Sequence, residues 1–184
     1  MDRYQDIRVR VDEEIGEAVL LAQVFMRLHQ VLRQTANGRI GISFPGVKVT
    51  LGDRIRLHGT QDDLHALQHS GWDRGLTDYI SCTDIAPVPP QAVWRSVRRV
   101  QVKSSAERLR RRSVNKGWLN EAQAAERISV VNEQRSDLPY LQIKSGSNGH
   151  AWRLFIEHGP LLSARCEGSF SSYGLSATAT VPWF

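Results

Sequence analysis

The N-terminal half of the chain alternates strand and helix patterns, and this alternation constrains the fold more than any other feature. Residues 7–11, "IRVRV", alternate apolar and basic side chains, as a half-buried strand does. Residues 17–34 carry apolar side chains at helical spacing, which predicts an amphipathic helix. Similar patterns predict the remaining elements, namely strands over 39–44, 54–59 and about 78–84, and a helix that Thr60 opens and that runs to about His69.

The order of these elements, β-α-β-β-α-β, is that of ferredoxin-like (RRM-like) domains, although many unrelated proteins share it. Three of the seven prolines lie in residues 85–92, "IAPVPPQA", a composition typical of an extended linker. We therefore expect an α+β protein with a ferredoxin-like domain over 1–90 and a second α+β domain over 91–184. The second domain is predicted to begin with a strand over 94–103 and to carry an arginine-rich helix over about 105–116.

The excess positive charge of the chain lies in one short segment of the predicted second domain. Residues 106–117, "AERLRRRSVNKG", carry five cationic side chains and one acidic one, so a helix there would be polar nearly all round and would need a partner. Residues 95–116 hold nine Lys or Arg and one Glu, whereas the whole chain has a net charge of +5, so the remainder is slightly acidic. Such a local patch favours a polyanion as partner, most often nucleic acid. A solvated helix face is the alternative.

One face of this helix would present a set of polar side chains to the partner. Arg108, Arg111, Arg112 and Asn115 recur at helical spacing, and Lys116 lies at the edge of the same face. The arginine fork matches phosphate oxygens and guanine edges. Several such contacts would give an affinity that falls steeply with salt.

Three residues outside the helix are candidates for contacts with bases. Arg99 and Gln101 are two residues apart and would point the same way on a strand, where Arg can pair with guanine and Gln with adenine. An ordinary exposed strand face is the alternative. Trp152 lies among polar neighbours in "GHAWRLF", and it would stack on a base if exposed or belong to the core if buried.

His29 is the strongest candidate for acid–base chemistry. It falls at the margin of the apolar face of the helix over 17–34, where an imidazole can be half exposed and tunable near neutral pH, and a structural role is the alternative. His65 and His69 are four residues apart, but no third ligand is evident nearby, so we expect both to be surface residues.

The sequence predicts neither a metal site nor a cofactor. It shows no carboxylate cluster for a two-metal nuclease and no glycine-rich phosphate loop. A nuclease without metal would act on RNA, because the 2′-hydroxyl can attack the adjacent phosphate once a histidine removes its proton. Candidate helper hydroxyls lie in residues 144–149, "KSGSNG", and 171–176, "SSYGLS".

Several features favour a cytoplasmic protein with no membrane segment. The apolar runs are too short to span a bilayer, and the N-terminus, "MDRYQDIRVR", lacks the apolar segment of a secretion signal. Cys82 and Cys166 lie far apart, which argues against a disulfide framework or a thiolate metal site and favours a reducing compartment.

Longer segments of the chain resemble a known family, in order and with nearly unchanged spacing. They include "FMRLHQVL", "GRIGISFP", "RRVQVKSSAERLRRR", "LQIKSGSNG", "RLFIEHGPL" and "YGLSATATVPWF". The chain resembles the CRISPR-associated endoribonuclease that processes precursor crRNA in subtype I-F systems. The resemblance implies metal-independent cleavage at the base of a repeat hairpin by 2′-hydroxyl attack, which leaves a 2′,3′-cyclic phosphate. It also implies a free monomer that retains the product hairpin and joins the other subunits of the surveillance complex on the crRNA.

The resemblance also implies catalytic roles for three residues. The family's histidine falls on His29 in "RLHQ", and its serine, which would hold or activate the 2′-hydroxyl, falls on Ser145 in "IKSGS". Its tyrosine, which would orient the imidazole, falls on Tyr173 in "SYGLS".

The RNA-binding residues that the resemblance implies all lie in the predicted second domain. The base-reading pair falls on Arg99 and Gln101, and the aromatic that stacks under the closing base pair, commonly Phe, falls on Trp152. Ser147 belongs to the same RNA-binding set. The helix over 105–116 would lie in the major groove of the hairpin.

Two residues depart from the family pattern. Asn115 and Lys116 occupy positions that resemble arginines in the family. Asn115 loses the charge and Lys116 loses the fork, so we expect binding to survive with a smaller salt slope or an altered hairpin preference. Two other classes of function stay open on the residues alone: a non-catalytic RNA-hairpin-binding subunit of a crRNA-guided complex, and a DNA-binding regulator that uses the same helix.

Overall fold

The structure of the protein, a computed structural model, describes most of the chain. The described residues are 1–10, 14–35, 38–101, 106–128, 137–144 and 151–184, with the backbone alone at 106–108. Within these ranges the chain has four helices and two antiparallel sheets, so the expected α+β class is confirmed. No helix in the same ranges is long and apolar enough to cross a membrane.

The first sheet is built from the N-terminal half of the chain. Its strands and helices in chain order are β1 (Arg3–Val9), α1 (Glu17–Thr35), β2 (Gly41–Ser43), β3 (Arg54–Gly59), α2 (Gln61–His69), β4 (Ile80–Cys82) and β5 (Ala86–Pro87). The strand order is β2-β3-β1-β4, and β5 pairs with the start of β1. All of these pairs are antiparallel. The elements predicted by periodicity are therefore present in the predicted order.

The core of this sheet forms where α1 covers it. The buried side chains of α1, among them Phe25 and Leu28, recur every three or four residues and make one apolar stripe. Ile7 of β1 and Leu57 of β3 are likewise inaccessible to solvent. Each such side chain contributes about 1.5–3 kcal/mol by its burial.

Strand β1 begins earlier than the alternating pattern predicts. Gln5 and Asp6 are buried in it although both are polar. The Gln5 amide donates to the carbonyl oxygen of Thr83 at 2.8 Å, and the Asp6 carboxylate accepts from the Arg56 guanidinium at 2.6 and 2.9 Å. Buried polar groups are tolerated when they are paired in this way. A search for apolar alternation passes over such positions, which is why the predicted strand started at Ile7.

The second sheet is built from the C-terminal half. Its strands are β6 (Val93–Val100), β7 (Tyr140–Lys144), β8 (Ala151–His158) and β9 (Ser176–Trp183). They pair antiparallel in the order β7-β8-β6-β9. Ile143, Leu154 and Ile156 are buried on one face. Helix α1 contacts β7 as well as β1 and β3, so it packs against strands of both sheets.

By its internal contacts the chain divides into two compact units. The larger unit comprises Met1–Val100 with Leu138–Phe184 and contains both sheets. The smaller unit, Gln101–Asp137, contains helices α3 (Ala106–Asn115) and α4 (Glu121–Arg127), which contact each other. The arginine-rich helix predicted over about 105–116 is thus confirmed as α3, whereas a domain boundary near residue 90 stays a prediction.

Candidate active site and nucleic-acid interface

His29 lies on α1 at the edge of the buried stripe, as the sequence predicts. Phe25 and Leu28 are inaccessible to solvent, whereas His29 is partly exposed. The Nδ1 atom of His29 lies 2.9 Å from the carbonyl oxygen of Ser172. A carbonyl oxygen only accepts hydrogen bonds, so Nδ1 carries the proton of the neutral ring and Nε2 is the acceptor nitrogen. The contact therefore selects the tautomer whose Nε2 can serve as a general base.

Tyr173 stacks face to face on the His29 imidazole. The two ring centroids are 3.9 Å apart, and the ring planes differ by 6°. Phe25, one turn earlier on α1, also lies nearly parallel to Tyr173, with centroids 5.9 Å apart and planes 9° apart. The tyrosine thus connects the buried stripe of α1 to the imidazole. This stacking and the Ser172 carbonyl together restrict rotation of the His29 ring.

The loop that carries Tyr173 is held by backbone hydrogen bonds. The Ser171 N–H donates to the Leu175 oxygen at 2.9 Å, and the Gly174 N–H donates to the Ser171 oxygen at 2.8 Å. Gly174 has a φ of +67°, and a Cβ atom there would lie 2.5 Å from Cγ1 of Ile42. Only glycine satisfies both the left-handed backbone and this close approach to β2. The local sequence "SYGLS" therefore fixes the position of the tyrosine.

Ser145 and Ser147 lie outside the described residues. Lys144, which precedes Ser145 in the sequence, ends β7 and lines a hollow of about 480 Å³ together with Met26 of α1. Met26 lies one helical turn before His29. Lys144 therefore lies beside the helix that carries His29.

Arg99 and Trp152 form a pair on the second sheet. The Arg99 guanidinium carbon lies 4.9 Å from the centroid of the Trp152 ring. Arg99 is exposed, and Trp152 is partly buried against the core, so the indole combines a packing contact with accessible ring surface. The pairing of β6 with β8 ends at Val100, so the strand predicted over 94–103 stops before Gln101, which is exposed. Strand geometry therefore does not align Gln101 with Arg99.

The exposed face of α3 carries the cations that the sequence predicts. Arg111, Arg112 and Asn115 are exposed, and so is Lys116 directly after the helix. The side chain of Arg108 is not among those described. The exposed charges lie within the smaller unit, where they form a local cationic surface.

Arg110 has a different role from the other arginines of this run. Its Nε donates to the Ile128 oxygen at 2.8 Å, and its Nη2 donates to the Ala125 oxygen at 3.2 Å. The last carbonyls of a helix lack intrahelical donors and carry partial negative charge. Arg110 therefore caps α4 and holds it against α3, so it is a positioning residue.

Among the described residues, the other histidines do not form a second reactive site. His65 and His69 are exposed on α2, as the sequence predicts. Burial, with the nearby Arg56 charge as a smaller cause, lowers the pKa of His58 to about 3. Burial, with the Arg95 charge, lowers the pKa of His158 to about 4. Both rings are therefore neutral at physiological pH. Among the described residues, no three His, Cys, Asp or Glu lie close enough together to hold a metal ion.

Comparison with known proteins decides the family. The family model for "CRISPR-associated protein (Cas_Csy4)" matches residues 4–184. The chain belongs to the Cas_Csy4 family. The family resemblance seen in the sequence segments is thereby confirmed.

Two relatives in this family match the chain over its whole length. One is a protein of Escherichia coli strain UTI89 named "CRISPR-associated endonuclease Cas6/Csy4", which is 54% identical over 184 residues and is covered completely, as is this chain. The other is a protein of Pseudomonas aeruginosa strain UCBPP-PA14 with the same name, which is 44% identical over 187 residues, again with both chains covered completely.

Sequence reasoning missed two contacts that position the candidate functional side chains. The first is the backbone carbonyl of Ser172, which has no side-chain signature and is positioned by the loop around Gly174. The second is Arg110, which the charge count treated like its neighbours. Its position outside the set 108, 111, 112 and 115 was the available signal, because it points away from that helix face.

Proposed function

We propose that this chain is an endoribonuclease that processes precursor crRNA, cutting at the base of the repeat hairpin without a metal ion and then retaining the product hairpin. The observation that carries the proposal is the setting of His29, with Nδ1 held by the Ser172 carbonyl and one ring face covered by Tyr173. The cationic face of α3 and the endonuclease names of two full-length relatives support a nucleic-acid substrate.

The proposed reaction is an attack by the 2′-oxygen of RNA on the adjacent phosphorus. Nε2 of His29 takes the proton of the 2′-hydroxyl, and a bond forms between the 2′-oxygen and phosphorus. The bond from phosphorus to the 5′-oxygen breaks, and the 5′-oxygen leaves with the electron pair and takes up a proton from the imidazolium or from water. The products are a 2′,3′-cyclic phosphate and a 5′-hydroxyl. A general base of this kind contributes about 10²–10⁴-fold to the rate.

Ser145 and Tyr173 complete the proposed catalytic set. The Ser145 hydroxyl would hold the ribose 2′-hydroxyl, a role that the family resemblance supports. Tyr173 would act by orienting the imidazole, which its stacking distance of 3.9 Å supports. Neither role requires a metal or a cofactor, because proton transfer alone activates the nucleophile.

The proposed RNA contacts involve residues of both units. Arg99 and Gln101 would read bases, and Trp152 would stack under the closing base pair, with Ser147 among the further contacts. The phosphates and the groove of the hairpin would contact α3 and the residue after it through Arg108, Arg111, Arg112, Asn115 and Lys116. We further propose that the free protein is a cytoplasmic monomer and that it joins the other subunits of a type I-F complex on the crRNA.

We also propose that the first sheet and its helices form a ferredoxin-like domain. The element order β1-α1-β2-β3-α2-β4 and the antiparallel strand order β2-β3-β1-β4 support this arrangement. Its role in the proposed function would be to present α1, and with it His29, beside the second sheet.

The decisive experiment is single-turnover cleavage of the genomic repeat hairpin in EDTA. We expect one cut at the base of the stem, with a cyclic phosphate on the upstream product, and no cut in an RNA with a 2′-deoxyribose at that nucleotide. His29→Ala should lower the cleavage rate by about 10²–10⁴-fold, whereas His65→Ala, which alters an exposed histidine of α2, should cleave normally. Cleavage that requires added Mg²⁺, or a wild-type rate in His29→Ala, would contradict the mechanism.

A non-catalytic RNA-hairpin-binding subunit is the second candidate. The cationic face of α3 lies in the smaller unit, whereas His29 lies in the larger one. RNA binding by the smaller unit would not need His29, and this favours the second candidate. Tight hairpin binding with no product under single-turnover conditions would support it against the nuclease.

A further inference from the structure

Trp118 is an exposed aromatic residue that the proposed function leaves without a role. It follows α3 in the smaller unit, and it is 64% exposed to solvent. Single exposed apolar residues are common on protein surfaces, so exposure alone assigns no function. The backbone around Trp118 and the charges near its ring supply the further observations.

The backbone before Trp118 forms a complete Schellman cap at the end of α3. The Gly117 N–H donates to the Val114 oxygen at 2.9 Å, and the Trp118 N–H donates to the Ser113 oxygen at 3.0 Å. Gly117 has the left-handed φ of +68° that this cap requires. Two hydrogen bonds and a glycine therefore hold the Cα atom of Trp118 in a defined place at the end of the helix.

The packing that normally accompanies such a cap does not explain why a tryptophan stands at position 118. In a Schellman cap, the residue at the position of Trp118 is often apolar because it covers the residue at the position of Ser113. Here that residue is a serine, and the indole is 64% exposed. The cap thus holds a large aromatic ring toward solvent, which its own stability does not require.

A cation lies against this ring, and further cations lie on the same helix. The Nζ atom of Lys116 lies 5.1 Å from the centroid of the Trp118 ring. Arg111 and Arg112 are exposed on the preceding turn of α3. Proteins that bind single-stranded nucleic acid combine these two elements, because bases stack on an aromatic face while cations meet the phosphates. An apolar protein partner would have to bring anions to the same place.

We propose that Trp118 is a stacking platform for an unpaired base of the bound RNA, with Lys116 meeting an adjoining phosphate. The inference rests on the proposed function, in that RNA is taken as the ligand of α3. It adds a contact with unpaired nucleotides of the hairpin loop or flanks. Stacking on Trp118 would also add affinity for RNA at the end of α3, where Asn115 and Lys116 stand in place of the family's arginines.

The test measures equilibrium binding of the full chain to two RNAs, in a His29→Ala background that prevents cleavage. One RNA is the genomic repeat, and the other is the same stem with every unpaired nucleotide replaced by an abasic one. We expect Trp118→Ala to weaken binding to the repeat by ~10-fold and to leave binding to the abasic RNA unchanged. Trp118→Phe should keep most of the affinity, because it keeps an aromatic face.

Leu161→Ala is the matched control, since Leu161 is a 57% exposed apolar residue of the larger unit, and it should bind both RNAs like the background protein. Equal binding of Trp118→Ala and its background to the repeat would overturn the proposal, and so would an equal loss on both RNAs. A protein-docking role for Trp118 predicts the first of these results. A 2-aminopurine placed at each unpaired position should be quenched at one site, and the quenching should vanish in Trp118→Ala.

Failure of the two proposals can be told apart when binding and cleavage of the repeat by the wild-type chain are measured beside this titration. If the wild-type chain neither binds nor cuts the repeat, the proposed function fails. If it binds and cuts the repeat and Trp118→Ala binds as tightly, the stacking platform alone fails.

Discussion

The two compact units of this protein hold their functional side chains by different means. In the larger unit His29 is positioned by a buried helix stripe, a stacked tyrosine and a backbone carbonyl. In the smaller unit Arg111, Arg112 and Lys116 are exposed on or beside a short helix that packs against one other helix. The first arrangement fixes one nitrogen atom, and the second presents charge.

This difference has a physical reason. General-base catalysis requires a lone pair at a defined place, so its residue must be held by packing and hydrogen bonds. Binding to phosphates acts over longer distances and tolerates side-chain motion, because counterion release supplies much of the affinity. We therefore expect substitutions in the larger unit's site to change the rate and those on α3 to change the affinity.

Replacement of the imidazole should produce the largest effect. His29→Ala should lower the single-turnover rate by about 10²–10⁴-fold, because the base that removes the 2′-hydroxyl proton is lost. The dissociation constant for the hairpin should stay within about twofold, because phosphate contacts supply most of the affinity. A filter-binding titration beside the kinetics checks both values. A loss of affinity as large as the loss of rate would contradict the view that the larger unit's site sets the rate and α3 sets the affinity.

Removal of charge from α3 should have the converse effect. The double substitution of Arg111→Ala with Arg112→Ala should weaken hairpin binding and reduce the slope of log affinity against log salt by about two. The cleavage rate at saturating RNA should be unchanged. The control is Arg74→Ala, which removes an exposed arginine of the larger unit and should leave the slope as it is.

Acid should destabilise the larger unit through His58, which is buried, and His158, which is half-buried. The folded-state pKa is lowered to about 3 for His58 and to about 4 for His158, whereas the ordinary pKa of a histidine in an unfolded chain is about 6.5. Below that value the unfolded chain binds more protons than the folded chain, so stability is retained above about pH 6.5 and falls as the pH drops toward 4. His58 would lower the free energy of unfolding by at most about 1.4 kcal/mol per pH unit, and His158, which is partly exposed, by less.

Urea unfolding at pH 7, 6 and 5 measures this dependence. His158→Gln should flatten the loss of stability between pH 6.5 and 4, whereas His65→Gln, at an exposed position, should leave it unchanged. An unfolding midpoint that is constant from pH 7 to 5 would contradict the assignment of both rings as neutral in the folded state.

The smallest expected effect concerns the cap that Arg110 provides. Arg110→Ala removes two hydrogen bonds to the end of α4, each worth about 0.5–1.5 kcal/mol. The amides of α4 should then exchange with deuterium faster, while those of α1 keep their protection. Arg112→Ala, which alters the exposed face of the same helix, is the matched control. Unchanged exchange in α4 would show that the packing of α3 on α4 does not depend on this cap.

Much of the local structure could be predicted from the sequence. The helix predicted over 17–34 is α1, and His29 lies at its margin with partial exposure. The helix predicted over about 105–116 is α3, and its exposed face carries the predicted Arg111 and Arg112. Both follow from helical periodicity, which is a property of neighbouring residues. The catalytic role of Ser145 stays a prediction from the family resemblance.

The contacts that depend on distant parts of the chain could not be predicted in the same way. Gln5 and Asp6 are polar residues within β1, and they are buried because distant residues, Thr83 and Arg56, pair with them. Their own neighbours in the sequence give no sign of these partners. Arg110 differs from its neighbours because α4 folds back beside it.

By itself, then, the sequence determined the order of the elements, the stripe on α1 and the charge on α3. Only the tertiary structure decided which atoms meet His29. The Ser172 carbonyl that selects its tautomer lies 143 residues away in the chain, and Tyr173 is its neighbour. Periodicity constrains residues within one helix or strand, whereas a contact over such a separation depends on how both sheets pack around α1.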